Sequence, residues 1–570
     1  MSPIATKVLI LGGYGTFGGR LAQLLASDAR VTLLIGGRSI EQGQTFCDRL
    51  ERGASRSAVR FDRDGDVLAQ IRAVNPDLVV DATGPFQCYG EDPYRVIKAC
   101  LVHGVDYLDL ADGSDFVKGV TQFEREARER GVFVLSGVSS FPVLTAAVLR
   151  RLAQGLATLD TIIGGIAPSP YAGVGMNVIR AIASYSGKQL ALIRGGQPSF
   201  GVAMTESQRY TISPPGHLPL RNVRFSLVDV PDLQVLPQLW PGLQSLWMGA
   251  GPVPEILHRM LNGLAWLVRL RLLPSLLPFS YVIYQVSNRV RWGEHRGGMF
   301  VAVTGIDSRG TRVTRSWHLL AEGDDGPLIP SMACQAIIER CFAARRPRAG
   351  ARAATADLEL DDYEALFARR TIYCGTRTSD SAAATQPLYQ RILGDAWDAL
   401  PVPLRAMHHC EDPQVAAGQA DVLRGRHPLA RLIAFAMGFP AAGQLVPVQV
   451  VFTPGAGGER WTRTFAGRSF TSFQSAGRGS SEHLLRERFG PLTFDLALVV
   501  EGAKLCLVVR RWSLWGLPLP LLLAPGGDSY ETVVDGRFHF HVEIRQRLIG
   551  LIVSYRGWLE IEPATGTPLR

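Results

Sequence analysis

Apolar and polar positions alternate in one repeated unit along the first 150 residues. Lys7 to Leu11 is a short apolar run that stops at Gly12-Gly13-Tyr14-Gly15-Thr16-Phe17-Gly18-Gly19, after which Leu21, Leu24 and Leu25 recur at helical spacing. This predicts strand, glycine turn and helix. Further strands are predicted at Val31 to Ile35, Val59 to Asp62, Leu78 to Thr83, Val105 to Asp109 and Val132 to Leu135, with helical stretches between them. Strands separated by helices specify a parallel, doubly wound sheet, so residues 1–150 are expected to form an α/β domain.

From about Leu156 to Cys374 the pattern changes to short strands with turns, such as Thr161 to Ile166 and Met299 to Gly305. Residues 151–375 are expected to be an α+β substrate and dimerisation domain with an antiparallel sheet, and the chain a homodimer. Pro401 to Gly418 and Arg424 to Phe439 read as loop and helix, and strands alternate from Val446 into Tyr555 and Trp558. Residues 386–562 are therefore expected to form a β-rich carboxyl-terminal domain.

The stretch from Val253 to Tyr284 is apolar but interrupted by Arg259, Arg269, Arg271, Pro274 and Pro278, so it lacks the run of roughly twenty apolar residues that a spanning helix needs. On a helical wheel His258, Arg259, Asn262 and Arg269 share one side, and Leu257, Leu261, Leu264, Val268 and Leu272 populate the rest. Such a helix packs on a core or a partner, or lies in a membrane interface through residues 255–273. Both readings stand at this point.

Composition narrows the class. The chain of 570 residues is long enough for two or three domains, and with 46% hydrophobic and 19% charged residues it has ample material for cores. Its net charge of +9 is scattered and interleaved with acids, which reads as a solvated surface and not as a nucleic-acid site. The eight cysteines are widely spaced without a CxxC pair, and Met1 to Thr6 leads directly into a strand. Reduced thiols and a cytoplasmic location are expected.

Gly13, Gly15 and Gly18 supply the G-x-G-x-x-G of a Rossmann dinucleotide site: a tight turn, backbone approach to a pyrophosphate, and close helix–strand packing. The phosphates would sit on free N–H groups at the helix start, so Gly12, Gly13, Gly15, Thr16, Phe17 and Gly18 are assigned to the cofactor. The second strand ends at Gly36-Gly37-Arg38-Ser39, with no carboxylate where a ribose-reading acid would stand. A guanidinium and a hydroxyl there suit a 2′-phosphate, so Arg38 and Ser39 select NADP(H) over NAD(H). Ligands in such sheets lie at the carboxyl ends of the strands, which places Asp62 near the adenine and Thr83, Gly84 and Pro85 near the nicotinamide.

Several segments resemble the saccharopine dehydrogenase-like oxidoreductase family: GGYGTFGG, GGRS, DATGPFQCYG (81–90), GVDYLDLADG (104–113), and more loosely WGEHRGGMF (292–300), RSWHLLAEGDDGPLIP (315–330) and GARAATADLELDDYEALFARR (350–370). Residues from about 386 to 562 resemble an uncharacterised domain found fused behind such reductases, through LYQRILGDAW, ERFGPL, DGRFHFHV and GLIVSYRGWL. The resemblance implies nicotinamide redox chemistry and leaves the substrate open. Relatives often carry a Gly-Glu pair after the strand-five aspartate, whereas Asp112-Gly113-Ser114 stands here, so no role of that glutamate is carried over.

The expected activity is NADP(H)-dependent reduction of a C=C, C=O or C=N bond in an apolar or lipid-linked substrate. The alternatives are an amino-acid imine reductase and a non-catalytic NADP-binding lipid carrier or regulator. Tyr89, Tyr107, Asp109 and His318 are the candidate proton donors by residue type. No metal is expected: His539 and His541 share a strand face but lack further ligands at recognisable spacing. The aromatic residues Trp461, Phe465, Phe470, Phe473, Trp512 and Trp515 read as core, with an apolar ligand cavity as the alternative.

Overall fold

The structure, a computed structural model, describes residues 5–379 and 386–563. The first four residues of the lead into the opening strand lie outside the described ones. The chain divides into two compact units, one of residues 1–208 and 223–373 and the other of residues 209–222 and 374–570.

In the first unit the expected alternation is present: β1 (Thr6–Leu11), α1 (Thr16–Leu25), β2 (Val31–Gly37), β3 (Ser55–Arg60), β4 (Leu78–Asp81), β5 (Asp106–Asp109) and β6 (Phe133–Ser136). Val8, Leu9, Ile10 and Leu11 are all buried, as a strand covered on both faces requires. Parallel pairing sets Leu11 against Gly36 on one side and against Asp81 on the other, and Asp81 against Asp109. That register brings the ends of β1, β2, β4 and β5 to one level, so the loops after them open into a shared crevice.

The strand Gly350–Ala353 returns to pair in parallel with β6 and completes a seven-stranded sheet among the described residues. The boundary expected at residue 150 therefore does not close the sheet. Four residues beginning with glycine carry too little periodicity to announce a strand.

The middle sheet is mixed and not wholly antiparallel. Leu156–Ala167 pairs antiparallel with Arg296–Asp307, which pairs with Arg312–Glu322, whereas Ser245–Ala250 runs parallel to Leu156–Ala167. The long connection between those two parallel strands, which includes the helix Met176–Tyr185, makes the parallel crossover possible. The apolar segment forms the helix Glu255–Arg269, with its wheel turned: His258 and Asn262 point inward. His258 Nε2 lies 2.8 Å from Ser226 Oγ, and Asn262 Nδ2 donates to Met204 O at 2.7 Å. Burial pushes the His258 imidazole down to about 4, so it packs as a neutral ring. Among the described residues no helix is long and apolar enough to cross a membrane.

The second unit is a closed antiparallel barrel. Ten strands run in the order Leu492–Glu501, Leu485–Phe489, Arg468–Ala476, Gly458–Phe465, Gly443–Gly455, Gln414–Arg424, Gly550–Ile561, Arg537–Gln546, Ser529–Val534 and Lys504–Leu514, and the last pairs with the first. The strand Gln414–Arg424 replaces part of an expected loop. The barrel holds a cavity of about 180 Å³ on whose wall Trp461 and Phe465 lie, while Phe470, Phe473, Trp512 and Trp515 are not part of that wall.

Candidate active site

The turn after β1 is shaped by backbone that side chains would block. Gly12 sits at φ +69, and its carbonyl accepts the Gly15 N–H at 2.8 Å. A Cβ on Gly18 would stand 2.4 Å from that same carbonyl oxygen. Gly15 is the N-cap of α1 and no side chain caps the helix, so its first N–H groups face outward as an anion cradle. Tyr14 turns aside from the cradle: its hydroxyl accepts the Ser39 N–H at 3.1 Å, and its ring lies where a Cβ on Gly37 would come within 2.3 Å. The bend is therefore open to a diphosphate.

The cradle forms one wall of a cavity of about 1130 Å³. Gly12, Gly15, Thr16 and Phe17 line it together with Arg38, Asp62, Thr83, Gly84 and Pro85, while Gly13 and Gly18 shape the turn from behind. Arg38 is exposed on the wall at the end of β2. Ser39 instead caps the next helix: its hydroxyl accepts the Gln42 N–H at 3.2 Å and donates to Glu41 Oε2 at 2.8 Å. Asp62 is exposed, and its backbone N–H is held by Gln70 Oε1 at 2.7 Å.

At the end of β4 a chain of hydrogen bonds runs inward. Tyr89 Oη lies 2.7 Å from Thr83 Oγ1, which donates to the buried Asp81 Oδ1 at 2.6 Å. The Arg63 guanidinium covers the Tyr89 ring at 3.3 Å from its centroid and stands 3.9 Å from Asp81 Oδ2. Burial pushes both Asp81 and Tyr89 above their ordinary values, so the tyrosine keeps its proton. Asn177 Nδ2 donates to Thr83 O and Gly84 O at 2.8 and 3.1 Å and so fixes the loop from the opposite side of the cavity.

Of the four candidate proton donors only Tyr89 reaches the cavity wall. Tyr107 is fully buried in the core beside β4 and β6 and its hydroxyl has no hydrogen-bond partner. Asp109 is fully buried beneath the loops, where Oδ1 accepts the Gly137 and Ala111 N–H groups and the Ser136 hydroxyl, at 2.7, 3.0 and 3.0 Å. It ties β5 to the turn after β6, and burial pushes its carboxyl up to about 7. His318 lies fully buried within the middle sheet with Nε2 at 2.9 Å from Ser316 Oγ. These three are corrected from proton donors to interior groups, because strand-end position along the chain does not give depth beneath the surface.

Residues 8–135 match the family model of the saccharopine dehydrogenase NADP binding domain. The saccharopine dehydrogenase-type NADP-binding domain supports an NAD(P)-dependent oxidoreductase. Residues 400–559 match a domain of unknown function, DUF4166. Among solved structures, the apo saccharopine dehydrogenase (L-Glu forming) from Saccharomyces cerevisiae is 14% identical, covering 66% of this chain and 100% of its own with a TM-score of 0.47. Biliverdin reductase from Synechocystis sp. PCC 6803, in complex with biliverdin and NADP+, is 11% identical over 63% of this chain and 95% of its own, with a TM-score of 0.29. The WlbA dehydrogenase from Thermus thermophilus, in complex with NAD and α-ketoglutarate, is 12% identical over 64% and 93%, with a TM-score of 0.27. No curated protein matches.

In this oxidoreductase the cavity wall also carries Arg63, Asp112, Tyr185 and Asp229, none of which sequence reasoning assigned to the site. Asp229 is pushed up to about 6, first by burial and then by the Asp112 charge, against a short hydrogen bond from the Ser114 hydroxyl. Burial raises Asp112 too, although Gln87 Nε2 donates to its Oδ1 at 3.1 Å, and Tyr185 is raised well above its ordinary value by burial and by both carboxylates. Folding thus gathers two carboxyls and a phenol from three distant segments, and one carboxyl exchanges its proton close to neutral pH. Asp112 immediately precedes Gly113-Ser114, the pair that stands in place of the family's Gly-Glu; no sequence signal pointed to Tyr185 or Asp229.

Proposed function

We propose that the chain is an NADP(H)-dependent reductase that adds hydride and a proton across a C=C, C=O or C=N bond of an apolar or lipid-linked substrate. The observation that carries this reading is one cavity joining the anion cradle to an apolar chamber that holds a near-neutral carboxyl. Ile166, Ile182, Leu261, Leu264 and Met299 line the chamber and Asp229 stands in its wall. Its volume exceeds a drug-sized pocket of about 300–1000 Å³, room for a dinucleotide and a second molecule together.

When bound, NADPH supplies the hydride. The N–H groups opening α1 would hold the diphosphate, and Arg38 would pair with the 2′-phosphate. The loop after β4, fixed by Asn177, and the Arg63–Tyr89 stack on the cavity wall would border the nicotinamide. Asp229 in its acid form donates the proton to the substrate atom that gains charge; burial first, and then repulsion from Asp112, raises it to about 6, so the acid form is populated up to that pH and falls away above it.

The test is consumption of NADPH, followed by loss of reduced-nicotinamide absorbance, over a panel of long-chain enones, ketones and amino-acid imines. Turnover with an apolar member supports the reading. Turnover with amino-acid imines alone gives the imine reductase. Tight NADPH binding without turnover on any member makes the chain a carrier and ends the proposal.

A further inference from the structure

The substrate cavity opens beside a surface that the fold leaves unusually apolar. Of the large hydrophobic side chains exposed among the described residues, thirteen fall within residues 255–292. Ile256, Met260, Leu270, Leu272, Tyr281 and Trp292 are 60–73% exposed. They are carried by the helix Glu255–Arg269, the helix Ser280–Arg289 and the turns that follow each. Scattered apolar side chains need no explanation, but a cluster of this density marks a contact surface.

The orientation of the first helix explains the cluster. Because His258 and Asn262 satisfy Ser226 and the Met204 carbonyl inside, the apolar arc is left to the cavity and the outside. Met260, Val282 and Val286 are exposed and also line the cavity wall. The apolar surface and the substrate chamber are therefore continuous. A patch that only covered a neighbour would have no need to run into the reaction cavity.

Charge says what lies against it. Residues 255–292 hold five arginines, at 259, 269, 271, 289 and 291, against one acid, Glu255. Each of the five arginines is exposed. Arg269 reaches over the Trp266 ring, an apolar body with a cationic rim. Apolar side chains bordered by guanidinium groups match the acyl boundary and the anionic headgroups of a lipid surface.

We propose that residues 255–292 dock the protein on an anionic lipid surface and admit an apolar substrate from that surface directly into the cavity. The proposal rests on the reductase reading above for the nature of the substrate, but the docking itself is tested without turnover. The full chain is floated with vesicles of neutral phosphatidylcholine, with and without roughly one third anionic phosphatidylglycerol, and its NADPH affinity is measured alongside. Leu272→Glu and Trp292→Glu lie outside the cavity wall and are compared with the parent chain.

The expected result is flotation with anionic vesicles, weakened at least about tenfold by the double variant and by raising salt to about 1 M, where screening shortens to about 3 Å, with NADPH affinity unchanged. No flotation of the parent chain overturns the docking, and intact NADPH binding in the same sample leaves the reductase reading standing. Equal flotation on neutral vesicles overturns the role of the arginines. A lipid-free dimer that the double variant dissociates assigns the surface to a second copy and overturns the proposal. Flotation unaffected by the double variant places docking elsewhere and overturns it as well.

Discussion

Replacing Gly18 with alanine tests the nucleotide cradle without any knowledge of the substrate. The added Cβ would stand 2.4 Å from Gly12 O, 2.9 Å from Gly12 C and 3.1 Å from Gly13 Cα, where unstrained carbon contacts lie at about 3.5 Å or more. All three neighbours are backbone, so no rotamer relieves the overlap. Either α1 or the turn must move, and the turn is held by the Gly15 N–H bond to that same Gly12 carbonyl. Overpacking of this kind costs about 1–3 kcal/mol, and where the bound nucleotide needs the turn unmoved, at about 1.4 kcal/mol per tenfold, NADPH binding should weaken by about 5- to 140-fold. Calorimetric titration with NADPH measures it, and a melting curve confirms that the variant is folded. Gly131→Ala is the control: it sits at φ +69 away from the cradle with open space around its Cβ, so it should lose some stability and keep its affinity. A folded Gly18→Ala protein that binds NADPH as tightly as the parent would refute the geometry.

In the pH profile of turnover, kcat should fall as pH rises through about 6, where Asp229 loses its proton. Asp229→Asn should remove that limb and lower kcat by about 10²- to 10⁴-fold, as loss of a general acid does; an unchanged kcat would eliminate Asp229 as the donor. Asp112→Asn removes the charge that raises Asp229 and should move the limb toward lower pH. Asp109 tests stability: its carboxyl is raised from 3.8 to about 7 in the folded chain, so its contribution is full at low pH and is lost as pH rises toward 7. Asp109→Asn keeps an acceptor for Gly137 and Ala111 and removes a penalty of at most roughly 4 kcal/mol, about three pKa units. Its melting temperature should gain on the parent between 3.8 and about 7 and run parallel above; curves parallel throughout would contradict the buried charge.

The amino-terminal sheet was legible because a strand covered on both faces must be a largely apolar run, and β1, β2, β4 and β6 each present one beside a turn, whereas the edge strand β3 does not. The return of Gly350–Ala353 was not, since four residues hold no period and their partner β6 lies more than two hundred positions earlier. In the site, the cradle and Arg38 follow from local spacing. Asp229 and Tyr185 do not, because they meet Asp112 only when three segments fold together, and their raised proton affinities come from burial that a linear pattern does not record. Tyr107 and Asp109 show the converse: strand-five chemistry was visible in the sequence, but β5 lies in the middle of the sheet with both residues fully buried. The helix Glu255–Arg269 had a readable polar side, and only Ser226 and the Met204 carbonyl reveal that part of this side faces inward.

NADPH binding requires a diphosphate held at the opening of α1 with Arg38 on the added phosphate. Calorimetric affinities of NADPH and NADH for the parent chain and for Arg38→Glu test this most directly. A charge-assisted contact to phosphate is worth about 1.5–3 kcal/mol, and reversing the charge adds repulsion. NADPH should therefore weaken by about 100-fold or more while NADH changes only a few-fold. Equal losses for the two nucleotides, or no measurable binding of either by the folded parent chain, would contradict the account.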